Sequence, residues 1–316
     1  MKAIAINAFG GRDQLQVMDL PAPEPGEGEV LIRVKAAGVN PVDWKIREGW
    51  LKDMFPHEFP LIPGWDVAGV IERAGAQVEG FNAGDEVYAY ARKPAVQGGC
   101  YAEYVVLEAR HVARKPASLS FEEAAAIPLA ALTAYQSLFD AAQLRQGEQV
   151  LVHAAAGGVG SFAVQLARHA GATVWATASE SNHDYLKSLG AAETIDYGAA
   201  DFRETLKNKG APPMDVVFDC VGGAALADSP DVMGSEGRLV SIVDPVVCGE
   251  LADKGFNVQF VFVEPNAKQL DELSRLVEAG ELKTHLAAVL PLEEAVRAHE
   301  LIETQHTRGK IVLTLE

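Results

Sequence analysis

The chain has 316 residues, 27 Lys and Arg against 44 Asp and Glu, and a formal charge of −17 at pH 7. That length exceeds one ordinary core and predicts two domains, while 48% hydrophobic and 22% charged residues exclude a disordered chain. The acidic balance excludes nucleic acid and an anionic membrane surface as main partners, because either repels such a charge. Along the chain, the first third reads as β-rich. Short apolar or alternating runs at residues 2–7, 16–20, 30–39, 67–74, 86–90 and 102–107 are separated by Gly/Pro punctuation, such as Pro21-Ala-Pro-Glu-Pro-Gly26. At Ser120-Phe-Glu-Glu123 the texture changes, since this is a capping box that opens a helix.

From Gln149 the pattern alternates between strand and helix. Strands are expected at 149–153, 173–178, 194–195, 215–219, 238–243 and 258–263, with helices after Gly157 and over 182–189. Alternation of this kind predicts an α/β fold, a doubly wound parallel sheet covered on both faces. After Pro265 come a helix (266–279), an apolar run (286–290), a second helix (292–303) and a last strand (310–315). These pieces are too few for a core of their own, so they are expected to return to the N-terminal β domain.

The three cysteines, Cys100, Cys220 and Cys248, form no CxxC pair and no even framework, which fits free thiols in a reducing compartment. The first residues carry too short an apolar run for a secretory signal. The richest apolar stretch, residues 124–132, contains Pro128 and falls well short of the roughly 18 residues of a membrane span. A soluble, cytoplasmic protein is expected.

The chemistry concentrates at Ala154-Ala-Ala-Gly157-Gly158-Val-Gly160. Glycines there let a strand-to-helix turn be tight, let the backbone approach a pyrophosphate, and aim the helix N-terminus at its charge. The first position of the G-x-G-x-x-G pattern is Ala155, so it is the strand–turn–helix context that carries the reading of a dinucleotide site. The end of the next strand reports which dinucleotide. An NAD site places a carboxylate there for the ribose 2′-OH, and this strand ends in Ser179, followed by Glu180 and His183. Ser179 and His183 can donate to a 2′-phosphate and Tyr197 can close over the same end, which favours NADPH over NADH. Glu180 argues the other way if it points inward, and His183 is equally readable as a solvated residue of a first helical turn.

With these motifs in order, the chain resembles the medium-chain dehydrogenase/reductase superfamily, and within it the zinc-independent quinone oxidoreductases and related enone reductases. The resemblance rests on Ala37-Gly-Val-Asn40-Pro-Val-Asp43, Pro63-Gly-Trp65-Asp66-Val-Ala-Gly69, Gly98-Gly-Cys-Tyr-Ala-Glu-Tyr104, Leu132-Thr-Ala-Tyr135, the Ala154–Gly160 turn, Asp219-Cys-Val-Gly-Gly223 and Gly309-Lys-Ile-Val-Leu313. It implies a GroES-like β-barrel domain from residues 1–123 and 267–316, a Rossmann domain from 124–266, and a substrate cleft between them. It also implies no metal, because Asn40 stands where the zinc-dependent branch has Cys and Trp65-Asp66 where that branch has His-Glu.

Hydride transfer from NADPH to a quinone or an α,β-unsaturated carbonyl is the implied activity, since such acceptors delocalise the incoming charge without a Lewis acid. A ketone reductase or secondary-alcohol dehydrogenase, and a non-catalytic NADPH-binding sensor, are the alternatives. Asn40 and Lys45 are the implied catalytic residues. The Asn40 amide can donate to a ribose or substrate oxygen, or merely stabilise the turn before Pro41; Lys45 can polarise a carbonyl or be a solvated charge. The resemblance assigns Asp43, Trp50, Trp65 and Tyr90 to the substrate wall. Contacts along the dinucleotide fall to Asn40, Thr133, Gly157, Gly158, Val159, Ser179, His183, Tyr197, Cys220, Val221, Ile242, Phe262 and Val263. Residues 258–263, an apolar strand at the sheet edge, are expected to pair with a second copy in a homodimer.

Overall fold

The computed structural model describes residues 1–315, and their contacts divide into two compact units. One comprises Met1–Leu132 with the segment from Glu264 onward, the other Thr133–Val263. In the first unit β1 (Lys2–Ala5) pairs antiparallel with β2 (Gln16–Asp19). Then follow β3 (Glu29–Val39), β4 (Asp66–Ala74), β5 (Glu86–Tyr90), β6 (Tyr104–Glu108) and β7 (Val112–Arg114). The long β3 pairs antiparallel with both β4 and β6, and its Val30, Ile32, Val34, Ala36 and Ala37 are all buried. A short helix that the residue pattern did not announce, Pro41–Arg47, leaves the end of β3 with Pro41 in its first turn, where no N–H is needed.

The Ser120 capping box forms as expected: Ser120 Oγ accepts from the Glu123 N–H, and Glu123 accepts from the Ser120 N–H. The helix it opens, Phe121–Ala125, belongs to the first unit rather than the second. Its contact with β3 is close enough to demand glycine, because a Cβ on Gly38 would lie 2.3 Å from Ala125 O. The next helix, Pro128–Tyr135, carries the chain into the second unit.

The second unit is a six-stranded sheet of β8 (Gln149–Val152), β9 (Thr173–Ala178), β10 (Glu193–Asp196), β11 (Met214–Asp219), β12 (Met233–Ser241) and β13 (Val258–Phe260). Every pairing is parallel and the spatial order is β10-β9-β8-β11-β12-β13. Counted within the unit that order is 3-2-1-4-5-6, the doubly wound arrangement whose ligands gather outside the carboxyl ends of the strands. Burial on both faces explains why β8 and β11 read as nearly continuous apolar runs. On one face Leu151, Trp175, Val217, Leu239 and Leu251 share a core with Leu206 and Leu226. The edge strand β13 is three residues long, not six: the chain leaves the ladder after Phe260, with a last bond from Val261 N–H to Ser241 O.

The chain then returns. After the helix Ala267–Glu278 come β14 (Leu286–Pro291), the helix Ala295–Glu303 and β15 (Lys310–Thr314). These strands extend the first unit's sheet to the order β14-β15-β3-β4-β5-β7. The register puts Ile311 opposite Val39, Gly38 opposite Asp66, and Asp66 opposite Tyr90. Asn40, Asp66, Tyr90 and Lys310, far apart in sequence, are thereby brought to one end of one sheet.

Candidate functional site

In the second unit, β8 ends at Val152 and the turn Ala154–Gly157 leads into the helix Gly158–His169, with Gly157 as its N-cap. No side chain caps this terminus, so the N–H groups of its first turn stand free to meet an anion. The turn is tight because Gly160 allows it: a Cβ there would lie 2.5 Å from Ala154 O and 2.6 Å from Ala155 Cα. Ala154 itself is held at φ 51°, a left-handed conformation rare for alanine, with its N–H on Thr177 Oγ1. Beneath the turn, His153 bridges Thr177 Oγ1 and Ser229 Oγ at 3.2 Å each. Ser229 already donates to Ala225 O, so its oxygen accepts from His153 Nε2–H. Burial pushes the imidazole down to about 4, which keeps it neutral. His153 is a strut of the turn that the motif did not reveal.

The other residues assigned to the dinucleotide follow the carboxyl ends of neighbouring strands. Ser179 follows β9, Tyr197 follows β10, Cys220 and Val221 follow β11, Ile242 follows β12, and Phe262 and Val263 follow β13. Ser179 Oγ accepts from Asn182 Nδ2 at 2.9 Å and lies 3.2 Å from Ser181 Oγ. His183 opens the next helix, and its Nε2 is buried with no hydrogen-bond partner among the described residues. Tyr197 and Val221 are exposed, 57% and 51%. The turn after β11 is organised by Asp219, whose carboxylate accepts from the N–H groups of Val221 and Gly222 and from Ser241 Oγ. The Cys220 thiol is pushed up by burial, which suits a small packing residue and not a nucleophile. Thr133 is buried in the helix that links the units.

In the first unit Asn40 occupies the N-cap of Pro41–Arg47, yet its side chain does not cap. The Asn40 N–H donates to Asp43 Oδ2 at 2.8 Å. The Asn40 amide is turned inward: Nδ2 donates to Asp66 Oδ2 at 2.9 Å, and Oδ1 accepts from Lys310 Nζ. Lys310 Nζ also donates to Val39 O at 3.1 Å and pairs with Asp66 Oδ2 at 3.4 Å. The second Asp66 oxygen accepts from the Leu129 N–H at 2.7 Å. Burial pushes the Asp66 carboxyl up, while Lys310 and these donors pull it back. Asn40 is thus neither a free donor nor a simple turn residue. It is 2% exposed, and one amide hydrogen remains without an acceptor among the described residues.

Asp43 is fully buried and does not line a wall. Its Oδ2 also accepts from Tyr101 OH at 3.1 Å, and its Oδ1 has no partner among the described residues. Burial first, with repulsion from Asp66, pushes its carboxyl up to about 7 from an ordinary 3.8, against the pull of the Asn40 N–H. Below the ordinary value both folded and unfolded chains hold this proton. Between that value and about 7 only the folded chain holds it, so Asp43 makes stability fall as pH rises through that window and adds no slope above it. An Asp43→Asn variant is expected to lose less melting temperature than the natural chain between about pH 5 and about pH 8. Equal losses in a thermal melt series would mean that Asp43 does not titrate in that window.

The remaining candidates form two groups. Lys45 Nζ lies 5.8 Å and 5.9 Å from the ring centroids of Trp44 and Trp50, which meet edge to face at 4.9 Å. Partial burial lowers the Lys45 pKa, and Trp50 is 61% exposed. Trp65 and Tyr90 are buried, their rings 6.1 Å apart, and Tyr90 OH has no partner among the described residues. Among the described residues no three His, Cys, Asp or Glu side chains gather in a group able to hold a metal ion. At positions 40, 65 and 66 stand an amide, an indole and a carboxylate already paired with a buried ammonium. This donor set does not fit a zinc ion.

Two known domain families match the chain. The alcohol dehydrogenase GroES-like domain family matches residues 26–117, and the zinc-binding dehydrogenase family matches residues 189–313. The chain is 34% identical to a chloroplast envelope quinone oxidoreductase homolog of Arabidopsis thaliana, over 99% of this chain and 98% of that protein. It is 37% identical to an NADPH-dependent alkenal/one oxidoreductase of the same plant, over 99% of this chain and 79% of the other. Among solved structures, the quinone oxidoreductase from Coxiella burnetii superposes with a TM-score of 0.92 at 38% identity, covering 100% of this chain and 99% of that one. The glycine turn, the strand order and these likenesses agree: the chain belongs to the medium-chain dehydrogenase/reductase superfamily, among its quinone oxidoreductases and enone reductases.

Proposed function

We propose that this protein is an NADPH-dependent, metal-free oxidoreductase that delivers hydride to quinones or α,β-unsaturated carbonyls. The observation that carries the reading is the buried Asn40–Asp66–Lys310 cluster. Its ion pair fills the place of a metal and leaves one Asn40 amide hydrogen to donate, which suits an acceptor that needs no Lewis acid, even though one of the matched families is described as zinc-binding. The dinucleotide fits the second unit: Gly157–Gly160 would cradle its pyrophosphate, while Ser179 and His183 would take the 2′-phosphate. His183 Nε2, buried without a partner, supports that assignment. When bound, the reduced nicotinamide supplies a hydride equivalent to a conjugated acceptor. The residues of the first unit then have one task, to meet the negative charge that develops on the acceptor oxygen.

Asn40 offers its remaining amide hydrogen for that task, and Lys45, unpaired above two indoles, offers a charge. Trp50, 61% exposed, gives apolar surface for a flat acceptor, while the buried Trp65 and Tyr90 back the fold behind it. Three free cysteines suit a reducing compartment such as the cytoplasm, and a homodimer paired along β13 would cover that edge. The test is oxidation of NADPH and NADH by metal-stripped protein, with a benzoquinone, an enone and a saturated ketone in parallel. Turnover of the first two with NADPH preferred, and none of the third, is expected. Saturated-ketone activity restored only by zinc would overturn the metal-free reading. NADPH binding without turnover of any acceptor would point to a sensor.

A further inference from the structure

We propose that Lys310 is a positioning residue that locks the Asn40 amide in the orientation needed to present its free hydrogen. The inference rests on the reading above, in which Asn40 donates to the acceptor or cofactor. An amide can rotate to exchange its oxygen and nitrogen, and a misplaced Asn40 would turn an acceptor toward the developing charge. Lys310 forbids this. An ammonium carries three donors and no acceptor, so only the amide oxygen can face it. Its donors are accounted for by Val39 O, Asn40 Oδ1 and Asp66 Oδ2, which fixes the ammonium itself.

Asp66 completes the lock from the other side, accepting from Asn40 Nδ2 while the Leu129 N–H holds its second oxygen. Two Asn40 backbone bonds to Asp43 fix the base of the side chain, N–H to Oδ2 at 2.8 Å and C=O from the Asp43 N–H at 3.0 Å. Within this frame the second Nδ2 hydrogen has one direction left. Lys310 is 4% exposed, too deep to meet bulk solvent and engaged on every side with protein.

The test compares the natural chain with Lys310→Met and with Lys310→Met/Asp66→Asn, in which both buried charges are removed together. The double variant is expected to fold and bind NADPH, while kcat falls about 10- to 100-fold and the acceptor KM changes less than about threefold. An unchanged kcat in the double variant overturns the inference. So does a fall in kcat that only tracks lost NADPH binding or lost melting temperature, since that marks a purely structural role. A reading on the natural chain needs no variant. In nitrogen-15 NMR, the Lys310 ammonium protons and the Asn40 amide proton bonded to Asp66 should be protected from exchange, and unprotected signals overturn the lock. If the natural chain turns over no acceptor, the proposed function fails by itself, and these NMR signals still decide whether the lock exists.

Discussion

Replacing Gly157 by Asp is expected to leave the protein folded and to weaken NADPH binding by about 100-fold or more, roughly 2.7 kcal/mol. The two effects separate because of where Gly157 sits. As the N-cap of Gly158–His169 it has φ −72° and ψ 178°, ordinary extended backbone that any residue adopts. An added Cβ would meet only Ala154 O, at 3.3 Å, so a shift of a few tenths of an ångström accommodates it. Aspartate is moreover a favoured N-cap and its charge suits a helix N-terminus. Those are the grounds on which it should exclude the cofactor, because the new carboxylate takes the N–H groups a pyrophosphate needs and repels its charge. Melting temperature within about 3 °C of the natural chain, with binding lost in a fluorescence titration, is the expected pair of results. A variant that binds NADPH normally would remove this turn from the phosphate site. Gly157→Ala, which adds bulk without charge, should lose far less affinity.

The parts of the molecule that repeat a local rule were legible in its residues. Parallel strands buried on both faces must be apolar along their whole length, so β8, β9 and β11 stood out, and the glycines after β8 could belong only to a strand-to-helix turn. Because each further strand ends on the same side of the sheet, Ser179 and Tyr197 could be read from the ends of their strands, whereas Cys220, Ile242 and Val263 were assigned only through the family resemblance. The first unit was legible as strands but not as a site. Nothing near Lys310 signals a buried ammonium: it opens an apolar strand and meets a partner 270 positions away. Asn40 and Asp66 were visible as departures from metal ligands, and what fills that place required the ladder that sets Gly38 against Asp66 and Ile311 against Val39. Asp43 illustrates the opposite case. Its spacing three residues after Asn40 was a helix-start signal, obscured because asparagine and aspartate stand in for the commoner Ser/Thr and Glu. Reading it as a capping residue would have predicted the Pro41–Arg47 helix.

The largest loss of stability in the first unit is expected from Asp66→Ala. Three donors depend on this carboxylate: Lys310 Nζ, Asn40 Nδ2 and the Leu129 N–H. Truncation takes the acceptor from Asn40 Nδ2 and the Leu129 N–H and the counter-charge from an ammonium that is 4% exposed. Breaking one side of a buried ion pair costs about 3–5 kcal/mol, well above the 0–1 kcal/mol of a surface pair. For a unit of this size that corresponds to a fall of roughly 6–20 °C in its melting transition. The surviving carbonyl contacts, Val39 O and Asn40 Oδ1, cannot neutralise the ammonium, so they soften the loss without cancelling it. Removing Lys310 as well, in Asp66→Ala/Lys310→Met, takes away the stranded charge and is expected to recover much of the stability. This recovery separates an electrostatic cause from a cavity, since a cavity would leave the double variant no better than the single. Thermal unfolding of the three proteins at one pH and salt concentration makes the comparison. A loss below about 1 kcal/mol in Asp66→Ala would mean that the cluster contributes no more than a surface pair. In that case the carboxylate is kept for the orientation it imposes on Asn40 and not for stability.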